Sequence, residues 1–256
     1  MDPGLRSPLI DFFRRGEVPR EVRLLAAQGA FAPRVQDQLA LLVLLTGDDD
    51  AEIARAAEST LGVLPREPLR AFLARADVPS EMRAFFSARG IEPAPGAGNG
   101  DDPLVDTLTD LPDAPEAPEG EKETKMLSSL PVLQRMKLAM KGTREQRAAL
   151  VRDTNRLVAA AVLSSPKLTE AEVEAFTKMG NVSEDVLRTI GMNRSWVKNY
   201  GIAAGLCRHP KTPPAISSLL IHRLNERDLK MLSIDRNVPE ALRGIARKNL
   251  TKAKHG

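Results

Sequence analysis

The sequence predicts an all-α protein, an irregular α-solenoid arranged as two modules joined by a disordered acidic linker. Ten residues that begin at Val158 recur 44 residues later, beginning at Ile202, and four of the ten positions are identical. Each copy has the pattern of an amphipathic helix that packs through small residues and ends at a proline, which is typical of a helical repeat. No stretch alternates for long enough with the period of two that a half-buried strand requires.

The composition favours closely packed helices and a reducing environment. Hydrophobic residues make up 42% of the chain but aromatic residues only 4%, so the predicted core consists of aliphatic side chains. The single cysteine excludes an intramolecular disulfide. The first residues lack the layout of a signal peptide, and the longest apolar run, 39–45, is too short to span a bilayer. We therefore expect a cytoplasmic protein with no membrane partner.

Residues 1–91 form the predicted N-terminal helical-repeat module. A first helix is predicted to end near Gly16, and the pair Val18-Pro19 at the start of the next helix recurs as Val78-Pro79. Between these copies, residues 38–45 are apolar on nearly all sides, which indicates a buried helix.

Three consecutive aspartates, Asp48 to Asp50, follow this buried helix. A calcium-binding EF-hand loop would need aspartates at alternate positions, followed by glycine and a later glutamate. Because the spacing does not fit, the triplet is interpreted as the cap of the next helix.

Residues 92–125 are predicted to be a flexible acidic linker. They contain six prolines, and residues 96–125 carry 2 basic and 9 acidic side chains, a net charge of −7. Such a composition does not bury enough apolar surface to offset the cost of ordering the chain. Leu104, Leu108 and Leu111 nevertheless have helical spacing. They suggest a second interpretation, a short helix that docks on the following module.

Residues 126–256 form the predicted basic C-terminal helical-repeat module. Residues 126–256 carry 23 basic and 11 acidic side chains, a net charge of +12. The pattern Thr169-Glu-Ala-Glu172 is that of a capping box, and Ser183 and Asn225 also stand where helices are predicted to begin.

The second module resembles a known class of repeat proteins. Asn193-Arg-Ser-Trp-Val-Lys-Asn-Tyr200 is followed by Ala203-x-x-Leu206 and His209-Pro-Lys-Thr-Pro213. This pattern is similar to HEAT-like bacterial helical-repeat proteins of the leucine-rich-repeat-variant type, from a family with no characterised activity. The resemblance covers residues 126–250 well and residues 1–91 loosely. It implies a solenoid fold, and it implies no activity.

No pattern in the chain predicts catalysis, a cofactor or a metal. Cys207 and His209 are close in sequence, but no second cysteine exists to complete a structural zinc site. Cys207 aligns with Leu163 of the earlier copy, so it is predicted to fill an apolar position in the core. Phosphate-binding, zinc-protease and serine-hydrolase motifs are absent from the sequence. The chain is therefore predicted not to be an enzyme.

The function predicted is a protein–protein interaction scaffold with an unknown protein partner. Trp196 and Tyr200 are predicted on one helix, either as a packing pair between repeats or as a binding ridge. The candidate binding surface comprises Arg194, Trp196, Lys198, Asn199, Tyr200, Arg208 and Lys211.

The alternative is nucleic-acid binding by the basic module. This function would be favoured if its basic side chains shared one face. The side chains concerned are Arg147, Arg152, Arg156, Arg194, Lys198, Arg208, Lys211 and Arg243.

Overall fold

A computed structural model describes residues 8–32, 34–95, 100–107 and 127–255. Within these ranges all regular secondary structure is helical, which confirms the predicted all-α class. In the same ranges, no helix combines the length and the apolar character needed to cross a bilayer.

The chain divides into two compact units. Unit 1 comprises Met1–Thr143 and Ala160–Pro166, and unit 2 comprises Arg144–Ala159 and Lys167–Gly256. The boundaries of these units differ from those of the predicted modules, 1–91 and 126–256, and the modules remain a prediction.

Most of the described helices of unit 1 begin at a proline or directly after one. The helices are α1 (Pro8–Arg14), α2 (Arg20–Ala27), α3 (Val35–Leu45), α4 (Ala51–Val63), α5 (Arg66–Leu73), α6 (Ser80–Ser87) and α7 (Val132–Lys141). The turn after α1 contains Gly16 at a φ of 68°, a conformation that glycine adopts without strain. Pro19 and Pro79 each occupy the N-cap position, of α2 and α6 respectively, as their matching patterns predicted.

Helix α3 is the buried helix that the sequence predicted. Its leucines at 39, 41, 42 and 45 are at most 2% exposed, and it contacts α1, α2, α4 and α6. One polar side chain is buried with them, because Gln38 is only 1% exposed. A buried amide needs hydrogen-bond partners, and most of those of Gln38 come from residues 104 and 105.

The aspartate triplet caps α4, as predicted. The Asp50 side chain accepts a hydrogen bond from the Glu52 backbone N–H at 2.9 Å. Asp48 accepts from Arg23 of α2 at 2.6 Å, and Asp50 accepts from Arg20 of the same helix at 2.7 Å. The triplet therefore also joins α4 to α2.

The described part of the predicted linker, residues 92–95 and 100–107, is hydrogen-bonded to unit 1. Ala94 N–H donates to the Arg70 carbonyl at 3.2 Å, and Val35 N–H donates to the Asp101 carbonyl at 2.9 Å. Residues 104–107 are not helical, so the predicted helix does not begin at Leu104. Leu104 N–H donates to Gln38 of α3, in the predicted N-terminal module, whereas Asp106 pairs with Lys141, in the predicted C-terminal module; all four residues belong to unit 1. Leu108 and Leu111 lie outside the described residues.

Unit 2 contains the helices that follow α7, together with two short 3₁₀ turns at Trp196–Lys198 and Ile221–Arg223. They are α8 (Arg144–Leu150), α9 (Arg156–Leu163), α10 (Glu170–Phe176), α11 (Glu184–Met192), α12 (Tyr200–Arg208), α13 (Pro214–Leu220), α14 (Glu226–Ile234) and α15 (Glu240–His255). Helix α9 belongs to both units, since residues 156–159 fall in unit 2 and residues 160–163 in unit 1.

The predicted helix starts in unit 2 are confirmed. Thr169 and Glu172 form a capping box at α10 with both reciprocal hydrogen bonds present. The Ser183 side chain accepts from Val186 N–H at the start of α11, and that of Asn225 accepts from Asp228 N–H at the start of α14. The two copies of the recurring pattern both lie on helices, α9 and α12, and each is followed by another helix.

The helices of unit 2 contact one another in a regular order. Helix α10 contacts α8 and α12, and α12 contacts α14. Similarly, α11 contacts α13, and α13 contacts α15. Consecutive helices α11 and α12, α12 and α13, and α14 and α15 also touch. Each helix therefore contacts mainly its neighbours along the chain and the helices two places away.

Candidate functional site

The candidate site is built on the close approach of α10 and α12. At Gly205 an added Cβ would lie 2.0 Å from Thr177 Oγ1 and 2.8 Å from Thr177 Cβ. At Gly201 it would lie 2.4 Å from the carboxylate of Glu174. Two glycines four residues apart thus expose the backbone of α12 to the end of α10, and a larger residue at 205 would push the helices apart.

Two side chains of α12 meet on one carboxylate of α14. The Tyr200 hydroxyl donates to Asp228 Oδ2, and Arg208 Nη2 donates to Asp228 Oδ1. The Tyr200 oxygen also accepts a hydrogen bond from Asn225 N–H at 3.2 Å. Partial burial, followed by the bond to Asp228, raises the pKa of Tyr200 above its ordinary value. The phenol is therefore held in its neutral, hydrogen-donating form.

These residues surround an open groove of about 400 Å³. Ala204 is placed between Tyr200 and Arg208 on one face of α12, and its small side chain leaves space between the two longer ones. On the α10 side the wall carries an ion pair in which Lys178 Nζ lies 2.6 Å from Glu174 Oε1. The complete lining is Glu174, Thr177, Lys178, Gly180, Tyr200, Gly201, Ala204, Gly205, Arg208, His209, Pro210 and Asp228.

His209 lines the groove, and hydrogen bonds at both ring nitrogens hold it in a single tautomer. Its Nδ1 accepts from Lys211 N–H at 3.1 Å, so the proton is on Nε2, which donates to the Met179 carbonyl at 3.0 Å. Ser165 occupies the matching position of the first repeat copy, and its hydroxyl donates to the Met140 carbonyl at 2.8 Å. The same position in both copies thus satisfies a backbone carbonyl near the end of an earlier helix.

Cys207 is a core residue, as predicted. It is 1% exposed, and its Sγ lies 3.7 Å from the Ser217 carbonyl. Burial raises the pKa of the thiol to about 12. A thiol in this environment is not a nucleophile at neutral pH. In the described part of the chain, moreover, His, Cys, Asp and Glu side chains do not gather in threes that could hold a metal ion.

The structure brings together only two members of the predicted binding surface, Tyr200 and Arg208. Asn199 is the N-cap of α12 and donates to Glu170 at 3.2 Å, so it stabilises the helix start. Arg194, Lys198 and Lys211 are exposed side chains outside the groove lining.

The expectation that Trp196 and Tyr200 share one helix is wrong. Trp196 begins the 3₁₀ turn Trp196–Lys198, whereas Tyr200 begins α12. The intervening Asn199 has an extended backbone with a ψ of 123°, which ends the turn before α12 starts. Trp196 is half-buried and is not part of the groove.

Sequence reasoning missed Asp228, Glu174, Gly201 and Gly205. Asp228 lies in the first turn of α14, where an acidic residue is favoured by the helix dipole, so its sequence position gives no sign of a tertiary contact. The i, i+4 spacing of the two glycines was a usable signal, because glycine within an otherwise apolar helix often marks a close packing contact.

Comparison with protein families, with curated proteins and with solved structures finds no match for this chain. The function is therefore argued from the site alone.

Proposed function

We propose that the protein is a non-catalytic interaction scaffold built on HEAT-like helical repeats, and that the groove of unit 2 binds a partner polypeptide. The observation that carries this proposal is the row of helices α8, α10, α12 and α14, in which each helix contacts the next. A groove about 400 Å³ in volume lies on the last three of them. Stacked repeats of this kind present a continuous surface to a partner, because each repeat buries its core only against its neighbours.

Two observations support the repeat architecture. In unit 2, helices contact the next helix along the chain and the helix two places away. This pattern of contacts is expected of stacked helix pairs. In addition, Ser165 and His209 make equivalent bonds to backbone carbonyls 25 and 30 residues upstream. The recurrence therefore extends from the sequence pattern to a tertiary contact.

The chemistry of the groove suits a polypeptide segment. Tyr200 is 39% exposed and offers both an aromatic face and a polar tip, a combination common at protein interfaces. The charged groups occur as the pairs Glu174–Lys178 and Asp228–Arg208, so both signs are present side by side. Paired charges of this kind set the register of a partner more than they add to its affinity.

The ion pairs weaken the case for nucleic-acid binding. Of the eight basic side chains proposed for it, Arg147, Arg156, Arg208 and Arg243 form ion pairs with carboxylates. Arg147 is also buried. A side chain that already neutralises a carboxylate displaces fewer phosphate counterions, and that displacement supplies most of the affinity for nucleic acid.

The groove can be tested with a photo-crosslinking amino acid at Lys178, at its exposed rim, in the full chain. We expect a discrete protein adduct in extract of the native cell, and we expect Ala204→Leu to abolish it by filling the groove. Ala215→Leu is the matched control, since Ala215 is exposed on α13 and does not line the groove. Circular dichroism confirms that each variant is folded. An adduct that persists unchanged in folded Ala204→Leu would refute the groove as the binding site.

Nucleic-acid binding can be tested separately by fluorescence anisotropy with labelled DNA and RNA oligonucleotides. We expect no binding by the full chain at low salt. Binding that weakens steeply as salt rises would instead assign the function to nucleic acid.

A further inference from the structure

Gln38 in unit 1 uses its whole side-chain amide to bind backbone. Its Nε2 donates to the Gly29 carbonyl at 3.1 Å and to the Val105 carbonyl. Its Oε1 accepts from Leu104 N–H at 2.7 Å and from Val105 N–H at 3.1 Å. Two N–H donors and two acceptor lone pairs are all that a glutamine amide has, and three of the four bonds go to one segment of backbone.

The same segment is anchored on both sides of Gln38 by basic side chains. Arg75 Nη1 lies 3.1 Å from the Gly100 carbonyl and 2.6 Å from Asp101 Oδ1. At the other end, Lys141 Nζ lies 2.5 Å from Asp106 Oδ2. Residues 100–106 are thus held against the rest of unit 1 by polar contacts at both ends and in the middle.

Side-chain contacts add a shape requirement to this pattern. Val105 lies over Gly29, where a Cβ would be 3.5 Å from Val105 Cγ1. Gly29 has a φ of 96°, so its backbone turns in a way that favours glycine, and its carbonyl points to Gln38. The site therefore accepts an aliphatic residue beside the amide clamp.

The exposed ion pairs and the buried hydrogen bonds of this segment contribute unequally to stability. The ion pairs are exposed, with 67% of the Asp101 side chain and 45% of the Asp106 side chain accessible to solvent, and such pairs contribute little stability. The buried bonds of Gln38 contribute more, because an amide that loses its partners within an apolar core is costly. The segment is therefore recognised mainly through its backbone.

We propose that α3, Gly29, Arg75 and Lys141 form a binding site for an extended acidic peptide, and that residues 100–106 occupy it as an internal competitor. The ligand is a segment of a partner protein with an aliphatic pair between two acidic residues, the chemistry of Asp101-Asp-Pro-Leu-Val-Asp106. This site belongs to unit 1, and it stands whether or not the groove of unit 2 binds a partner. The covalent attachment of the competitor gives it an effective concentration on the order of millimolar. A partner segment must therefore bind strongly enough to displace a competitor present at that effective concentration.

The test uses the full chain with Leu104→Pro and Val105→Pro, which removes both N–H donors to Gln38 and vacates the site. The probe is a fluorescein-labelled peptide of residues 99–107, and its matched control is the same peptide with the same two prolines. We expect the probe to bind the vacated chain and to bind the wild-type chain roughly 10-fold or more weakly, because the internal segment competes. Adding Gln38→Leu to the vacated chain should abolish binding, since leucine preserves the apolar character of α3 but has no amide.

A second measurement does not depend on the proline variants folding. An excess of unlabelled probe peptide should accelerate hydrogen exchange at the Leu104 and Val105 amides of the wild-type chain, because displacement exposes them. The proposal fails if folded vacated chain does not bind the probe, if the proline peptide binds equally, or if binding survives Gln38→Leu. Dimerisation of the wild-type chain that the peptide reverses would assign the site to a second copy and would also overturn the proposal.

Discussion

Single polar residues, buried among apolar side chains, make several of the hydrogen bonds that define the tertiary structure of this molecule. Gln38 and Glu172 are each at most 3% exposed, and each is fully engaged by partners distant in sequence or at a helix start. The sequence shows that Gln38 lies on a buried helix, but its partners are 66 and 67 residues away in a stretch whose composition predicts disorder. Gln38 binds backbone N–H and C=O groups, which nearly every residue has, so the side chains of residues 104 and 105 give no sign of this contact in the sequence.

Asp37 should make stability depend on pH. Burial, and then the nearby Asp101, raise its pKa to about 6, although Arg34 acts in the opposite direction. The folded state therefore binds the proton more tightly than the unfolded state, and the free energy of unfolding falls as pH rises from about 4 to about 6. We expect Asp37→Asn to stabilise the protein at pH 7.5 by on the order of 2 kcal/mol, and to flatten the pH dependence. Chemical denaturation at pH 4.5 and 7.5 measures this, and equal effects at both pH values would contradict it.

Gly205 should tolerate no side chain, in contrast to another helical glycine of unit 2. Alanine favours a helix by about 1 kcal/mol over glycine, but at Gly205 the added Cβ collides with Thr177, which overpacks the contact. We expect Gly205→Ala to lower the melting temperature. Gly244 on α15 has no atom within 4 Å of the added Cβ, so Gly244→Ala should raise it. Similar shifts for the two variants would show that α10 and α12 are less closely packed than described.

At the scale of elements, α8 and α10 are joined by a buried ion pair. Arg147 Nε donates to Glu172 Oε1 at 2.9 Å, while Glu172 Oε2 accepts from the Thr169 hydroxyl and N–H. Desolvation alone would raise the pKa of Glu172, but the bonds to Thr169 and Arg147 outweigh it and hold the pKa below its ordinary value. The contribution to stability is therefore complete above the unfolded pKa and is lost as pH falls through the folded one.

Breaking this pair should be costly, whereas replacing it should not be. Glu172→Ala leaves a buried guanidinium without its carboxylate, and we expect a loss of about 3 kcal/mol. The double variant Arg147→Met, Glu172→Leu removes both charges and should be clearly more stable than Glu172→Ala. Urea denaturation of the single and double variants measures the coupling between the two residues. A double variant no more stable than Glu172→Ala would contradict this account.

The helices themselves were largely predictable from the sequence, but the tertiary contacts between them were not. Thr169, Ser183 and Asn225 mark helix starts through local hydrogen bonds, and local signals are visible in the sequence. The groove depends on Tyr200 and Asp228, which are 28 residues apart and are joined only by tertiary packing. Nothing in the spacing of these two residues indicates that they touch.

At the scale of the whole molecule, limited proteolysis tests whether the chain consists of two independent modules. The composition predicts that trypsin cuts first at Lys122 or Lys125, which lie outside the described residues, and releases two independent modules. The structure places residues 127–143 and 160–166 in the same unit as the N-terminal helices. We therefore expect the two fragments to co-elute in gel filtration under native conditions after the cut. Separate elution of two folded fragments would instead support independent modules.

The division of α9 between the two units has a consequence for synthesis. The last residues of unit 1, Ala160–Pro166, are translated after the first residues of unit 2, Arg144–Ala159. On the ribosome, the N-terminal unit therefore remains incomplete until part of its successor has already emerged. Because the two units alternate along the chain, no single cut in the gene can separate one whole unit from the other.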